Sequence, residues 1–317
     1  MISLVTGTAG FIGSHLAAAL LQKGHTVRGL DCFNDYYSRP IKERNISPLL
    51  KHPGFQFFES DILRTDLMAL LKDTDAVFHL AAQAGVRSSW GRSFGVYTSN
   101  NIDATQKLLE AAKATSIKKF IYASSSSVYG VCPDLPWTEA SPLYPHSPYG
   151  VSKLAAEHLC SLYFRNYGVP TVSLRFFTVY GPGQRPDMAF HKFFKAILKN
   201  KPIPVFGDGS QTRDFTYIDD IVNGSMAALE QGRPGEIFNL GGGNRKTLKD
   251  LFPILESVSG RKVLISLESE QKGDVPDTYA DIQKARRELD FNPSTPIAAG
   301  LEEEWKWIET LYSSSSL

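Results

Sequence analysis

The chain has 317 residues, of which 42% are hydrophobic and 21% are charged, and this is the composition of an ordinary globular protein. With 34 Lys and Arg against 33 Asp and Glu, the formal net charge is +1, which argues against a basic surface for nucleic acid or an anionic membrane. The three cysteines, Cys32, Cys132 and Cys160, are too few and too widely spaced for a disulfide framework or a zinc site, so we expect no metal.

The predicted elements begin with an apolar, strand-like run at residues 2–5. This early start leaves no room for a signal peptide, and no apolar run approaches the roughly 20 residues of a membrane span. We therefore expect a soluble, cytoplasmic protein with no membrane partner.

Further strand-like runs alternate with helical stretches at residues 26–30, 54–58, 76–80, 120–123 and 171–174. Such alternation predicts an α/β fold with a doubly wound parallel sheet, whose ligands bind at the carboxyl ends of the strands. After about Arg175 the loops become rich in Pro and Gly, which predicts a smaller substrate-covering domain. We expect a first domain over residues 1–174 and a second over 175–317, some of whose segments return to the first.

A glycine-rich turn follows the first predicted strand. Gly7, Gly10 and Gly13 stand between this strand and an apolar helical stretch, the context of a dinucleotide-binding motif. Gly7 and Gly10 would let the backbone approach a pyrophosphate, and Gly13 would let helix and strand pack closely. The spacing is GxxGxxG rather than GxGxxG, so the general pattern is met only loosely.

Polar or small residues close the other predicted strands at the same edge of the sheet. Asp31 ends the second strand, Asp61 follows the third, residues 79–82 end the fourth and Ser124 ends the fifth. Five segments, the glycines included, therefore converge on one crevice. A carboxylate at the end of the second strand bonds both ribose hydroxyls of NAD and repels a 2′-phosphate, so Asp31 favours NAD over NADP.

Tyr149 and Lys153 are four residues apart and would share one face of a helix. A free phenol, with a pKa of about 10, is a poor base at neutral pH. We predict that the Lys153 ammonium and an oxidised nicotinamide lower the pKa of Tyr149, so that the phenolate takes a proton from a substrate hydroxyl. Such a pair also arises by chance, and the glycine motif together with the serines at 124–127 favours the catalytic interpretation.

From Leu4 to about Trp307 the chain resembles the extended short-chain dehydrogenase/reductases, and within them the nucleotide-sugar epimerases. Besides the glycines and Tyr149/Lys153, the resemblance rests on residues 126–130, 147–150, 174–177, 179–182 and 213–220 taken together. It implies a Rossmann-type NAD domain with a smaller C-terminal α/β substrate-binding domain. It also implies that Ser125 bonds the substrate O4 and relays its proton to Tyr149, so that Ser125, Tyr149 and Lys153 are catalytic.

The same resemblance assigns binding residues. For NAD it implies Gly7, Gly10, Phe11, Ile12, Gly13, Asp31, Asn34, Asp61, Ile62, Leu80, Ala81, Ala82, Gln83, Asn100, Ser124, Tyr149, Lys153 and Phe176. For the nucleotide sugar it implies Arg87, Ser126, Ser127, Thr178, Arg185, Arg213 and Asp274. Within that set, Arg213 matches an arginine that binds the diphosphate, and Asp274 matches a residue that binds the uridine ribose.

Two serines indicate which reaction follows hydride removal. In the related 4,6-dehydratases an Asp-Glu pair occupies the positions of Ser126 and Ser127, and in UDP-glucuronate decarboxylases a Glu occupies the position of Ser127. Because this chain has serine at both positions, the resemblance favours simple epimerisation.

The substrate is indicated by residues 31–37, 82–88 and 178–188, which resemble the UDP-glucuronate 4-epimerases. Thr178 stands where UDP-glucose 4-epimerases carry Asn, and Cys32 stands where the uronate enzymes usually carry Asn. In those relatives the arginine matching Arg185 meets the sugar carboxylate, and a guanidinium suits a carboxylate because its donors match both oxygens. The resemblance thus implies NAD-dependent conversion of UDP-glucuronate to UDP-galacturonate through a 4-keto intermediate.

Other functions stay open at this point. The nearest alternative is a UDP-glucose or UDP-N-acetylglucosamine 4-epimerase, followed by a UDP-glucuronate decarboxylase and by a non-catalytic NAD-binding scaffold. Relatives dimerise through two helices per subunit, so the resemblance implies a homodimer formed through the stretches near residues 104–115 and 155–166.

Overall fold

The computed structural model describes residues 1–269 and 273–313. The strands are β1 (Ile2–Thr6), β2 (Thr26–Asp31), β3 (Phe55–Glu59), β4 (Ala76–His79), β5 (Lys119–Ser125), β6 (Thr171–Phe176), β7 (Thr178–Tyr180), β8 (Ile203–Phe206), β9 (Thr212–Tyr217), β10 (Ile237–Leu240), β11 (Asn244–Thr247) and β12 (Ile265–Glu268). The helices are α1 (Phe11–Gln22), α2 (Arg39–Ile46), α3 (Leu67–Leu71), α4 (Phe94–Tyr97), α5 (Ala104–Lys113), α6 (Pro148–Tyr167), α7 (Ala189–Leu198), α8 (Ile218–Gln231), α9 (Leu248–Ser259), α10 (Gln283–Leu289) and α11 (Ile297–Ser313).

The large sheet has the strand order β10-β6-β5-β4-β1-β2-β3, and all its neighbours pair in parallel. Six of these strands coincide with the predicted runs to within two residues at each end. The prediction of a doubly wound parallel sheet is therefore confirmed. The seventh strand, β10, comes from the second half of the chain and pairs with β6, while the domain boundary at residue 174 stays a prediction.

Helices cover both faces of this sheet because the strands are apolar on both sides. Successive residues of a strand point to opposite faces, and the paired positions Leu4/Val5, Val77/Phe78 and Phe120/Ile121 each divide between two buried clusters. One cluster includes Leu108 of α5 and Cys160 of α6, and the other includes Leu16 of α1 and Ile221 of α8. Near-continuous apolar strands of this kind are typical of parallel sheets buried on both faces.

A smaller region stands over the carboxyl end of the sheet. It contains the three-stranded sheet β11-β9-β7 and the parallel pair β12-β8. Only Phe177 separates β6 of the large sheet from β7 of the small one, so the loop after β7 begins close to the strand ends where a ligand is expected. In the described ranges, no helix combines the length and apolar character needed to cross a bilayer.

Candidate active site

A crevice of about 420 Å³ opens at the carboxyl ends of β1, β2, β4 and β5. A second cavity of about 180 Å³ adjoins it on the side of the smaller region. Both are lined by Val86, Ser126, Ser127 and Thr178, so they meet at these residues. The arrangement suits a two-part ligand set, with one molecule along the sheet edge and another reaching into the smaller region.

The glycine turn after β1 is built for close approach. Gly7 has a φ of +73°, and a Cβ added there would lie 2.9 Å from the backbone nitrogen of Ala81. A Cβ on Gly13 would lie 2.1 Å from the Gly7 carbonyl oxygen, so only glycine lets α1 start directly against the turn. Gly10, Phe11, Ile12 and Gly13 line the crevice. The first turn of α1 therefore presents a positive helix end to the crevice, where a pyrophosphate fits.

Asp31 is fixed at the end of β2 by two backbone donors. Its Oδ2 accepts from the Ala9 N–H at 3.0 Å, and its Oδ1 accepts from the Phe33 N–H at 2.9 Å. Burial raises the pKa of this carboxyl, and these hydrogen bonds and the charge of Lys42 oppose the rise. Lys42, which the sequence analysis did not single out, lines the same end of the crevice and donates to Asn34 Oδ1 at 2.7 Å.

The tyrosine of the predicted catalytic pair enters the crevice at the first turn of α6. Ser147 caps this helix by accepting from the Gly150 N–H at 3.1 Å, and Pro148 occupies its first position. A Cβ on Gly150 would lie 2.5 Å from the Ser127 carbonyl oxygen, so the helix starts against the short turn that follows β5. This packing places Tyr149 and Ser125 on the wall of the same crevice, where the Ser125 hydroxyl acts to lower the pKa of the phenol.

The electrostatics around Tyr149 differ from the prediction. Burial raises the pKa of the phenol, and the influence that most opposes this rise is the positive charge of Arg185, followed by the Ser125 hydroxyl. Burial lowers the pKa of Lys153 to about 7, and its nitrogen lies 4.4 Å from the centroid of the Tyr122 ring. Arg185, from the loop after β7, therefore takes part of the role assigned to Lys153, whose effect on Tyr149 stays a prediction.

Beneath these residues lies a buried ion pair that the sequence analysis missed. Arg175 of β6 holds Glu157 of α6 through two hydrogen bonds of 2.6 and 3.1 Å, and both side chains are 2% exposed. Glu157 also accepts from the Ser124 hydroxyl at 2.6 Å, and Arg175 donates to the Tyr129 hydroxyl at 2.8 Å. The pair thus connects α6 to the carboxyl ends of β5 and β6, next to the serines at 124–127.

Arg185 itself is held by a carboxylate. Its Nε and Nη2 donate to Asp187 Oδ1 and Oδ2 at 3.0 and 3.1 Å, and the Tyr36 hydroxyl donates to Oδ2 at 3.0 Å. Burial acts to raise the pKa of Asp187, but the Arg185 guanidinium holds it below its usual value. Tyr36 and Asp187 both line the crevice, and the sequence analysis predicted neither.

The second cavity is lined by Arg213 and Asp274, as the resemblance implied for a nucleotide-sugar site. Burial lowers the pKa of Arg213, and the charge of Asp274 acts against that shift. Arg87 is not on the wall of either cavity. It pairs with Asp274 at 2.6 Å, and its guanidinium carbon lies 4.3 Å from the centroid of the Phe206 ring.

Most residues predicted for the cofactor line the crevice, and Gln83 is the exception. It is buried away from both cavities, and its backbone N–H donates to Asn101 Oδ1 at 2.7 Å while Asn101 Nδ2 donates to its carbonyl oxygen at 3.0 Å. Gln83 thus does not line the crevice, and its contact with the cofactor stays a prediction. Its backbone instead secures the π-helical turn Thr98–Asp103, which brings Asn100 to the crevice wall.

Known protein families include one with which this chain agrees in sequence. The model of a family described as the NAD dependent epimerase/dehydratase family matches residues 3–241. The chain belongs to this family. The match covers the glycine turn, Asp31, Tyr149 and Lys153, and it ends at the last strand of the large sheet.

Individual relatives within the family match almost the whole chain. The chain is 47% identical to the uncharacterized UDP-glucose epimerase YtcB of Bacillus subtilis (strain 168), over 98% of each chain. It is 42% identical to the UDP-glucuronate 4-epimerase of Thermodesulfobacterium geofontis (strain OPF15), over 96% of this chain and 95% of the relative. The crystal structure of the UDP-glucuronic acid 4-epimerase of Bacillus cereus in complex with UDP-glucuronic acid and NAD superposes with a TM-score of 0.96 at 48% identity, over 98% and 100% of the two chains. The predicted family and Rossmann-type fold are confirmed.

Proposed function

We propose that this protein is an isomerase, an NAD-dependent UDP-glucuronate 4-epimerase that forms UDP-galacturonate through a 4-keto intermediate. The observation that carries the proposal is the position of Arg185, whose charge acts on the Tyr149 hydroxyl from across the crevice. A group suited to a carboxylate and a group suited to proton transfer therefore act on the same sugar ring. The high identity to relatives named for this activity supports the same assignment.

The residues along the sheet edge fit NAD. The glycine turn leaves a cradle that a Cβ at Gly7 or Gly13 would fill, and the start of α1 suits the pyrophosphate. Asp31, held by two backbone N–H groups, would accept from the adenosine ribose hydroxyls. When bound, NAD supplies the group that takes a hydride from C4 of the sugar and later returns it.

The chain's own part in the reaction is proton transfer and positioning. Ser125 would bond the substrate O4 and pass its proton to Tyr149, which lines the same crevice. The charge of Arg185 favours the ionised phenol that this step requires. After the 4-keto sugar has turned over in the pocket, C4 presents its opposite face for reduction, and Tyr149 returns the proton to O4. Arg213 and Asp274 would hold the nucleotide throughout.

Ser126 and Ser127 support epimerisation over the competing reactions. Both line the junction of the two cavities, where the sugar of a bound UDP-sugar would lie. A serine hydroxyl bonds a sugar oxygen or carboxylate, but at neutral pH it does not act as the acid or base that loss of water needs. Ser126 and Ser127 would therefore bind the sugar without assisting the loss of water.

We also propose that the protein is a homodimer. Large apolar side chains are exposed at the start of the α4–α5 segment and along α6, namely Phe94, Val96, Val151, Leu162 and Tyr167. Exposed apolar side chains on neighbouring helices are typical of a subunit interface. Light scattering should give twice the chain mass, and Leu162→Glu should shift the protein to monomer.

The direct test of the activity is to incubate the purified protein with UDP-glucuronate, UDP-glucose or UDP-N-acetylglucosamine and to separate the products. We expect UDP-galacturonate from the first substrate, with no UDP-xylose. Faster conversion of a neutral sugar would replace the proposal with a neutral-sugar epimerase, as the name of the Bacillus subtilis relative suggests. Accumulation of UDP-xylose would make the protein a decarboxylase, and no turnover would leave a binding scaffold.

A further inference from the structure

Arg185 has two edges with which to bind a carboxylate, and one of them is already occupied. A guanidinium presents a side edge, formed by Nε and Nη2, and an end edge, formed by Nη1 and Nη2. Asp187 takes the side edge at 3.0 and 3.1 Å. A substrate carboxylate is therefore left with the end edge alone.

Asp187 is itself fixed from the opposite wall of the crevice. The Tyr36 hydroxyl donates to its Oδ2 at 3.0 Å. Gly85, with a φ of +102°, makes room for this contact, because a Cβ there would lie 2.3 Å from the Tyr36 hydroxyl oxygen. The carboxylate of Asp187 is thus held both by Arg185 and by Tyr36, which is 151 residues away in the sequence.

The pair also has a particular charge. Arg185 brings one positive charge and Asp187 one negative charge, so a substrate carboxylate approaches a formally neutral pair rather than a lone cation. The Arg185 guanidinium attracts the substrate carboxylate, and the negative charge of Asp187 beside it repels that carboxylate. The two Coulomb energies have opposite signs and partly cancel. Asp187 therefore weakens, as well as directs, the hold of Arg185 on a carboxylate.

We propose that Asp187 is a positioning residue for Arg185. It confines the contact between Arg185 and the sugar carboxylate to the end edge of the guanidinium, and it weakens that contact enough for the sugar to turn over. The proposal rests on the proposed function, in which the 4-keto sugar must reverse its face between hydride removal and return. The carboxylate then has to leave one position and reach another. A fully charged, freely oriented arginine would hold one pose more tightly, which lowers KM but also slows the turning step.

The test compares Asp187→Asn with wild type and with the matched control Asp35→Asn. Asparagine keeps the shape of Asp187 and removes its charge, and Asp35 is an exposed neighbour of Tyr36 that lines neither cavity. We expect Asp187→Asn to tighten UDP-glucuronate binding by about threefold to tenfold, to leave UDP binding unchanged, and to lower kcat by a similar factor. Asp35→Asn should change none of these.

A purely structural role would give the opposite pattern, with weaker binding of both ligands and a lower melting temperature. Unchanged or weaker binding of UDP-glucuronate by a folded Asp187→Asn would overturn the proposal, and tighter binding without a fall in kcat would overturn its link to sugar turning. Asp187 lies on a loop and its side chain is 31% exposed, so the variant should fold. Asp187→Ala, which also lacks the charge, is the second variant. If the wild type itself does not convert UDP-glucuronate, the proposed function fails and not the role of Asp187 alone.

Discussion

Replacing Arg185 with alanine should do more than remove one contact. Loss of a charged hydrogen bond costs about 1.5–3 kcal/mol. The variant also leaves the Asp187 carboxylate in the sugar pocket, where Tyr36 still holds it. Two carboxylates about 6 Å apart repel by about 0.7 kcal/mol at a dielectric constant of about 80 and by about 3 kcal/mol at about 20. Together these effects predict a loss of about 2–6 kcal/mol for UDP-glucuronate, which is about 30-fold to about 10⁴-fold in affinity.

The assay is a calorimetric titration of UDP-glucuronate and of UDP against wild type, Arg185→Ala and the double variant Arg185→Ala/Asp187→Asn. UDP has no sugar carboxylate, so its binding should change little in either variant. The double variant should recover part of the lost affinity, because it removes the remaining negative charge. Equal losses for UDP and UDP-glucuronate would refute the assignment of Arg185 to the carboxylate. A double variant no better than the single one would refute the repulsion argument.

Product analysis of the same variant tests a second consequence. Oxidation at C4 makes a β-keto acid, in which the bond between C5 and the carboxylate carbon can break. The electron pair then passes toward the C4 carbonyl to give an enolate, CO₂ leaves, and C5 takes a proton. Loss of CO₂ requires the breaking bond to align with the carbonyl π system, and an arginine that holds the carboxylate opposes this. Arg185→Ala should therefore release a UDP-4-keto-pentose or its reduced form, which wild type does not form.

The pH dependence of kcat should shift to higher pH in Arg185→Ala. The charge of Arg185 opposes the effect of burial on Tyr149, so its removal raises the pKa of the phenol further. Since the ionised phenol is the active form, the rise of kcat with pH should occur at higher pH in Arg185→Ala than in wild type. An unchanged or lowered midpoint would show that Arg185 does not act on Tyr149.

Three further outcomes are expected. Tyr149→Phe should lower kcat by about 10² to 10⁴ while binding of UDP-sugars persists, and near-normal turnover would remove Tyr149 as the base. Denatured wild-type protein should release NAD, measured by mass spectrometry, because the same cofactor molecule must return the hydride. Finding NADP instead would contradict the role of Asp31, and steady release of NADH during turnover would contradict the role of the cofactor. Glu157→Gln should cost about 3–5 kcal/mol of stability in thermal or denaturant unfolding, because it leaves Arg175 buried without its partner. The exposed Glu43→Gln, which breaks the surface pair with Arg39, should change stability far less, and equal effects of the two variants would show that burial does not matter.

The sequence predicted the parts of the fold that depend on local pattern. Apolar runs located the six strands from β1 to β6 because a sheet buried on both faces needs continuous apolar residues. The residues after these strands could be placed on one crevice, since the carboxyl ends of parallel strands meet at one edge. Gln83 does not line the crevice although its neighbours Ala81, Ala82 and Ala84 do, because its backbone pairs with the Asn101 side chain.

Contacts between distant segments could not be predicted in this way. Tyr36 and Asp187 are 151 residues apart, and Arg175 and Tyr129 are 46 apart. No periodicity or spacing connects such pairs. The first depends on how the loop after β7 packs at the crevice, and the second depends on how the turn after β5 packs against β6. Arg185 was predicted from the family resemblance as a carboxylate ligand, but the partner that limits its charge became visible only in the structure.

The two networks around Tyr149 meet different demands of one reaction. Below it, the buried pair of Glu157 and Arg175 ties α6 to the strand ends, so the proton-transfer group stays at a fixed place. Across the crevice, Asp187 offsets the charge of Arg185 and confines it to one edge, which leaves the sugar carboxylate a weaker, directional contact. An enzyme that returns a hydride to the opposite face of its substrate needs both, because the base must not move and the sugar must. Strengthening the hold of Arg185 should therefore harm epimerisation even as it improves binding.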